Sequence, residues 1–137
     1  MQEVFFLTDT HFGHGDKVLR FRPRFKSGEE HDAYIVSRIN SVVNPTDTLV
    51  LAGDIVITEI GYESLRKLNC RNIILVPGNH DGERTPIPHD LLKKVVSTYG
   101  FELKYSKEQR FRSLGLEYPR TLTRRVNYRP TLCLCKL

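Results

Sequence analysis

The sequence predicts an α/β fold built on a parallel sheet, and three observations lead there. Short apolar runs rich in Val, Ile, Leu and Phe recur as Val4-Phe5-Phe6-Leu7, Leu49-Val50-Leu51 and Ile73-Ile74-Leu75-Val76, the signature of buried strands. Stretches of helical period lie between them, and strand alternating with helix argues for parallel pairing with helices packed on a sheet. Each run also leads directly into ligand-type residues: Asp9-Thr10-His11, Gly53-Asp54 and Gly78-Asn79-His80-Asp81. In open α/β sheets ligands bind beyond the carboxyl ends of the strands, so the three clusters together mark a site.

Taken in order, residues 3–8 read as the first strand. Residues 12–28 read as a loop punctuated by Gly13, Gly15, Pro23 and Gly28 and carrying Arg20, Arg22, Arg24 and Lys26. Residues 29–42 read as a helix started by Ser27 or Gly28, with Ala33, Ile35, Val36, Ile39, Val42 and Val43 near helical spacing. His31, flanked there by Glu30 and Asp32, reads as exposed. Asn44-Pro45-Thr46-Asp47 is a turn, residues 48–52 a second strand, and residues 61–68 a short helix with Leu65 and Leu68 inward. Residues 72–76 form a third strand, ended by Pro77, which has no donor for the ladder. Residues 88–98 read as a helix with Pro88 in its first turn, Leu91, Leu92, Val95 and Val96 inward and Gly100 past its end. His89, at its start, reads as structural, and residues 101–105 as a fourth strand. From about residue 111 no period of either kind is clean.

A length of 137 residues suits one core, with 39% hydrophobic and 27% charged residues typical of a globular chain. The net charge of +5 is unevenly spread. Residues 104–137 hold nine basic residues against Glu108 and Glu117, whereas residues 1–103 hold twelve basic and fourteen acidic ones. The chain therefore divides into a domain over residues 1–105 and a basic tail over residues 106–137, which reads as an interrupted or frame-shifted part of a longer gene. No run reaches the 18 or so apolar residues of a membrane span, and no basic, then apolar leader opens the chain. Three cysteines, Cys70, Cys133 and Cys135, make no disulfide framework and suit a reducing cytoplasm. The basic tail makes nucleic acid a conceivable partner by phosphate neutralisation, without a recognised binding motif to support it.

Asp9, His11, Asp54 and Asn79 supply carboxylate, imidazole and amide groups and no thiolate, a set suited to Mn, Fe, Zn or similar divalent ions. On a strand, residues two apart point the same way, so Asp9 and His11 can face one ion. His80 beside Asp81 is a candidate acid held by a carboxylate. His14, in the loop after the first cluster, and Arg20, Arg22 and Arg24, alternating with Phe21 and Phe25, are candidates for gripping phosphate, the arginines because guanidinium pairs well with phosphate oxygens.

Asp-x-His, then Gly-Asp, then Gly-Asn-His-Asp resembles the calcineurin-like metallophosphoesterase superfamily, and Asp9-Thr10-His11-Phe12-Gly13-His14 its small bacterial and phage branch. The likeness covers roughly residues 1–105. It implies a β-sandwich flanked by helices, of which this chain would encode the first sheet and little of the second. It also implies roles. Asp9 and His11 would bind a first metal, Asp54 would bridge two, and Asn79 would bind the second, with Mn²⁺ ahead of Fe, Zn or Ni. His80 would assist the leaving oxygen and Asp81 would orient it. The reaction implied is hydrolysis of a phosphate mono- or diester through in-line attack by a metal-bridging hydroxide, with metals about 3.5–4 Å apart.

The family completes its site with later histidines, one after a further strand and two in a Gly-His-x-His segment. Here the five histidines are His11, His14, His31, His80 and His89. The expectation is therefore one metal held weakly and a second hardly at all. The rival reading is a non-catalytic interaction module that keeps the fold, or an inactive fragment.

Overall fold

The computed structural model describes residues 3–76, 86–97 and 111–113. The three apolar runs are strands: β1 (Val4–Leu7), β2 (Thr48–Ala52) and β3 (Asn72–Val76). They pair in parallel, Val4 beside Thr48 and Thr48 beside Asn72. Two three-residue strands extend the sheet, β4 (Val95–Ser97) beside β3 and β5 (Phe111–Ser113) beside β1, again in parallel. The order is β4-β3-β2-β1-β5. The sheet thus grows from β1 in one direction and resumes on its other side, and such reversals are where α/β sheets place ligands.

Both faces of the sheet are apolar, as a parallel sheet requires. Phe5, Leu7, Leu49, Leu51, Ile73 and Leu75 alternate onto one face and join a core with helices α1 (Gly28–Val42) and α2 (Tyr62–Arg66). Val4, Phe6, Val50, Ala52 and Val76 form a second buried cluster on the other, with Ile74 packed against it. Ser27 caps α1 by accepting from the Glu30 N–H at 3.1 Å, and Glu29 and Glu30 sit in the first turn, where the helix dipole favours acids. Helix α1 lies against the sheet through Ile35, Val36 and Ile39.

Four sequence expectations change. His31 is fully buried, not exposed, and Ala33 is exposed. His31 precedes Ile35 and Ile39 by one and two helical steps of four, so it shares their inward face whatever its charged neighbours. The stretch expected as a helix over 88–98 is instead a 3₁₀ turn, His89–Lys93, followed by β4. Only Leu91 and Val95 turn inward, while Leu92 and Val96 are exposed. The β-branched pair Val95-Val96 favours extended backbone, and the open edge of β3 offers it a ladder. The loop over 12–28 contains a 3₁₀ turn, Gly15–Arg20, anchored by buried Val18. A strand, β5, forms where no period was visible. The expected strand over 101–105 lies outside the described residues.

At the end of the sheet away from the ligand clusters, buried Asp47 joins β1 to the turn before β2. Its carboxylate accepts from the N–H groups of Glu3 at 3.0 Å and Asn44 at 2.8 Å. Burial by itself would raise this carboxyl, but the bonds from Glu3 and Asn44 outweigh it and hold its pKa below the usual carboxylate value. A depressed folded-state pKa adds stability that is present above the unfolded value near 4 and is lost as pH falls through the folded value. Asp47→Asn should therefore lower the urea midpoint at pH 7, with the gap to wild type closing as pH drops from about 4 toward 2. Urea unfolding at a series of pH values checks this, and a gap that widens in acid would contradict it.

Candidate metal centre

Pairing between the first two strands does not stop where the strands do. Beyond Leu7 and Ala52 the two exit loops run side by side. The Asp9 N–H donates to the Gly53 carbonyl at 3.0 Å, the His11 N–H to the Asp54 carbonyl at 3.0 Å, and the Phe12 N–H to the Ile55 carbonyl at 2.8 Å. Ile57 N–H returns to the Phe12 carbonyl at 2.9 Å, and the Thr10 hydroxyl donates to the Ile55 carbonyl at 2.9 Å. Gly53 N–H donates in turn to the carbonyl of Val76, the last residue of β3, at 2.7 Å. All three strand exits are thus tied at one end of the sheet.

Among the described residues, three that are not glycine have left-handed backbone: Asp9 at φ 55°, His11 at φ 53° and Asp54 at φ 52°. Each such residue costs about 1–3 kcal/mol and persists only where its surroundings over-determine it. The same three residues bring one ligand atom each to within 4.8 Å of the others. Asp9 Oδ1 lies 3.7 Å from His11 Nε2. Asp9 is buried, and His11 and Asp54 are half-buried. The expected geometry needs one correction. Asp9 and His11 do not converge by strand alternation, since β1 ends at Leu7; left-handed turns at both positions aim them.

Two carboxylates and an imidazole in this space fit a hard to borderline divalent cation, which removes the repulsion between the acids. His11 turns its other ring nitrogen to His14, Nδ1 to Nδ1 at 3.3 Å, so one ring donates and the other accepts. The rings stack with centroids 5.4 Å apart and planes at 28°. Metal-binding histidines commonly engage their second nitrogen in this way. Arg20 is exposed at the end of the 3₁₀ turn that follows His14. Asn79, His80 and Asp81 lie outside the described residues.

The family model described as calcineurin-like phosphoesterase matches residues 3–134. The chain belongs to this family. The match continues past residue 105 through most of the basic tail. This phosphoesterase-family chain is 34% identical over 109 residues to the Gene 66 protein of Mycobacterium phage L5, covering 72% of this chain and 48% of that one. It is 27% identical over 84 residues to an uncharacterised protein of Methanocaldococcus jannaschii, covering 59% and 48%. A crystal structure of a protein of unknown function from Aquifex aeolicus superposes with a TM-score of 0.55 at 28% identity, covering 71% of this chain and 50% of that one. The chain spans about half the length of each of these relatives.

The candidate site also rests on residues whose structural part in it the sequence did not show. Gly13, at φ 75°, approaches Gly61 so closely that a Cβ on Gly13 would lie 2.5 Å from the Gly61 nitrogen. Asp32 accepts from the Gly13 N–H at 2.9 Å, and the Thr58 hydroxyl donates to the Gly13 carbonyl at 2.8 Å. Arg22, expected to gather phosphate, instead reaches back to the carbonyls of Asp9 and Thr10. The left-handed φ and the backbone clash act together at Gly13, so Gly13→Ala should cost at least about 2 kcal/mol. Thermal or chemical unfolding measures this, and a loss under about 0.5 kcal/mol would contradict the close approach.

Proposed function

We propose that this chain hydrolyses phosphate mono- or diesters with the help of a divalent metal held by Asp9, His11 and Asp54. The observation that carries the reading is the convergence of these three donors at the joined exits of β1 and β2. A divalent ion bound there, Mn²⁺ first among the candidates, would neutralise phosphate charge and lower the pKa of water. Asn79 is assigned to the metal site as a neutral oxygen donor. Val76 ends β3 beside Gly53, three residues before Asn79, which supports this.

The protein's own side chains then divide the work. His80 delivers a proton to the leaving oxygen, the kind of step worth about 10²–10⁴-fold. Asp81 orients His80. His14 meets the substrate phosphate, supported by its stacking beside His11, and Arg20 draws the anionic ester toward the site. The compartment is the cytoplasm. Among the described residues no helix is long and apolar enough to cross a membrane.

A second reading, a non-catalytic interaction module that keeps the fold, rests on the donors in view: among the described residues Asp9, His11 and Asp54 make one group, enough for a single ion. Turnover decides between them. Bis-p-nitrophenyl phosphate should be hydrolysed with Mn²⁺, and Asp54→Asn should reduce the rate by at least about 10²-fold while retaining the fold, because Asn tolerates left-handed backbone. Absence of turnover with every divalent metal and chromogenic ester would favour the module.

A further inference from the structure

Behind the Asp9-His11 loop, opposite the exit of β2, lies a closed ring of side chains. The ladder takes the N–H groups of Asp9, His11 and Phe12, and the carbonyls of Asp9 and Thr10 go to Arg22. One nitrogen of the guanidinium donates to the Asp9 carbonyl, and the other donates to the Thr10 carbonyl at 3.2 Å and also contacts His31 Nε2. Arginine has only donors, so His31 Nε2 accepts and Nδ1 carries the hydrogen. Nδ1 then donates to Asp32 Oδ1 at 2.7 Å. The second oxygen of Asp32 accepts the Gly13 N–H at 2.9 Å, which returns the ring to the loop it left.

His31 is the centre of this ring. It is 0% exposed, both of its nitrogens are engaged, and the ring of Phe25 meets it edge-on at 5.2 Å and 87°. Neither His31 nor Asp32 offers an atom to the metal group, yet together with Arg22 they grip the backbone on both sides of His11. Arg22 fixes the carbonyl of Asp9, one left-handed residue, and that of Thr10. Asp32 fixes the N–H two residues after the other, His11.

We propose that Arg22, His31 and Asp32 are positioning residues that set the metal affinity of the site by holding Asp9 and His11 in their left-handed backbone. The inference rests on the reading of Asp9, His11 and Asp54 as metal ligands. Residues that orient a metal's ligands typically contribute about 10–100-fold in affinity. A leucine at position 31 would fill the space but leave the Arg22 and Asp32 groups without their shared partner. A glutamine offers an oxygen to Arg22.

Calorimetric titration of the full chain with Mn²⁺ tests this. His31→Leu should bind about 10–100-fold more weakly than wild type, and His31→Gln should recover part of the loss. Ile39→Val loosens the same helix outside the ring and should leave the affinity unchanged. Should His31→Leu fail to fold, Arg22→Lys serves instead, expected about 10-fold weaker because one ammonium replaces a two-pronged fork. Wild-type affinity in His31→Leu or Arg22→Lys, a glutamine variant as weak as the leucine one, or an equal loss in Ile39→Val would each overturn the proposal while leaving the metal reading intact. A wild-type chain that binds no Mn²⁺ sinks the metal reading and this inference with it.

Discussion

The interaction on which the site depends is the short run of backbone hydrogen bonds that continues past the ends of β1 and β2. Here the N–H groups of Asp9, His11 and Phe12 stay engaged with the carbonyls of Gly53, Asp54 and Ile55. These bonds bring an acid and an imidazole from one loop to an acid on the other. Without them, Asp9 and Asp54 would repel one another into solvent, since like charges at close range are stable only when compensated. The sheet supplies the rigidity, and the two loops transmit it to the donor atoms.

That arrangement is costly in the protein alone. Three left-handed side-chain-bearing residues and two converging carboxylates are each unfavourable locally. They are tolerated because neighbours constrain them from every direction: the β2 exit loop, the Arg22 fork, and the packing of Gly13 on Gly61. Strain that coincides with every described donor of a candidate cation site, and with no other described residue outside glycine, favours function over accident.

Much of this was legible in the residues. The three strands, α1 with its Ser27 cap and the burial of Leu65 and Leu68 follow from apolar period and capping chemistry. The clustering of Asp9, His11 and Asp54 follows from their positions after adjacent strands. The backbone turns that aim them were not legible, because Asp and His enter left-handed backbone only in a minority of cases, whereas glycine does so about as readily as the right-handed form. His31 was misread for a different reason. Its charged neighbours in sequence suggested water, whereas its neighbours at helical spacing, Ile35 and Ile39, decided its fate. The 88–98 stretch was misread because Leu91, Leu92, Val95 and Val96 fit a helical period, and only the free edge of β3 selects the extended form.

The uniform direction of the strands has a consequence for how the site comes into being. Parallel neighbours cannot be joined by a tight hairpin, so Val4 meets Thr48 only after α1 and its flanking loops have been made. During synthesis Asp9 and His11 emerge well ahead of Asp54, so the group of three donors is incomplete until β2 has followed. The three donors then meet only when β2 closes on β1, before β3, β4 and β5 have joined, with the closure of a long loop as the kinetic toll.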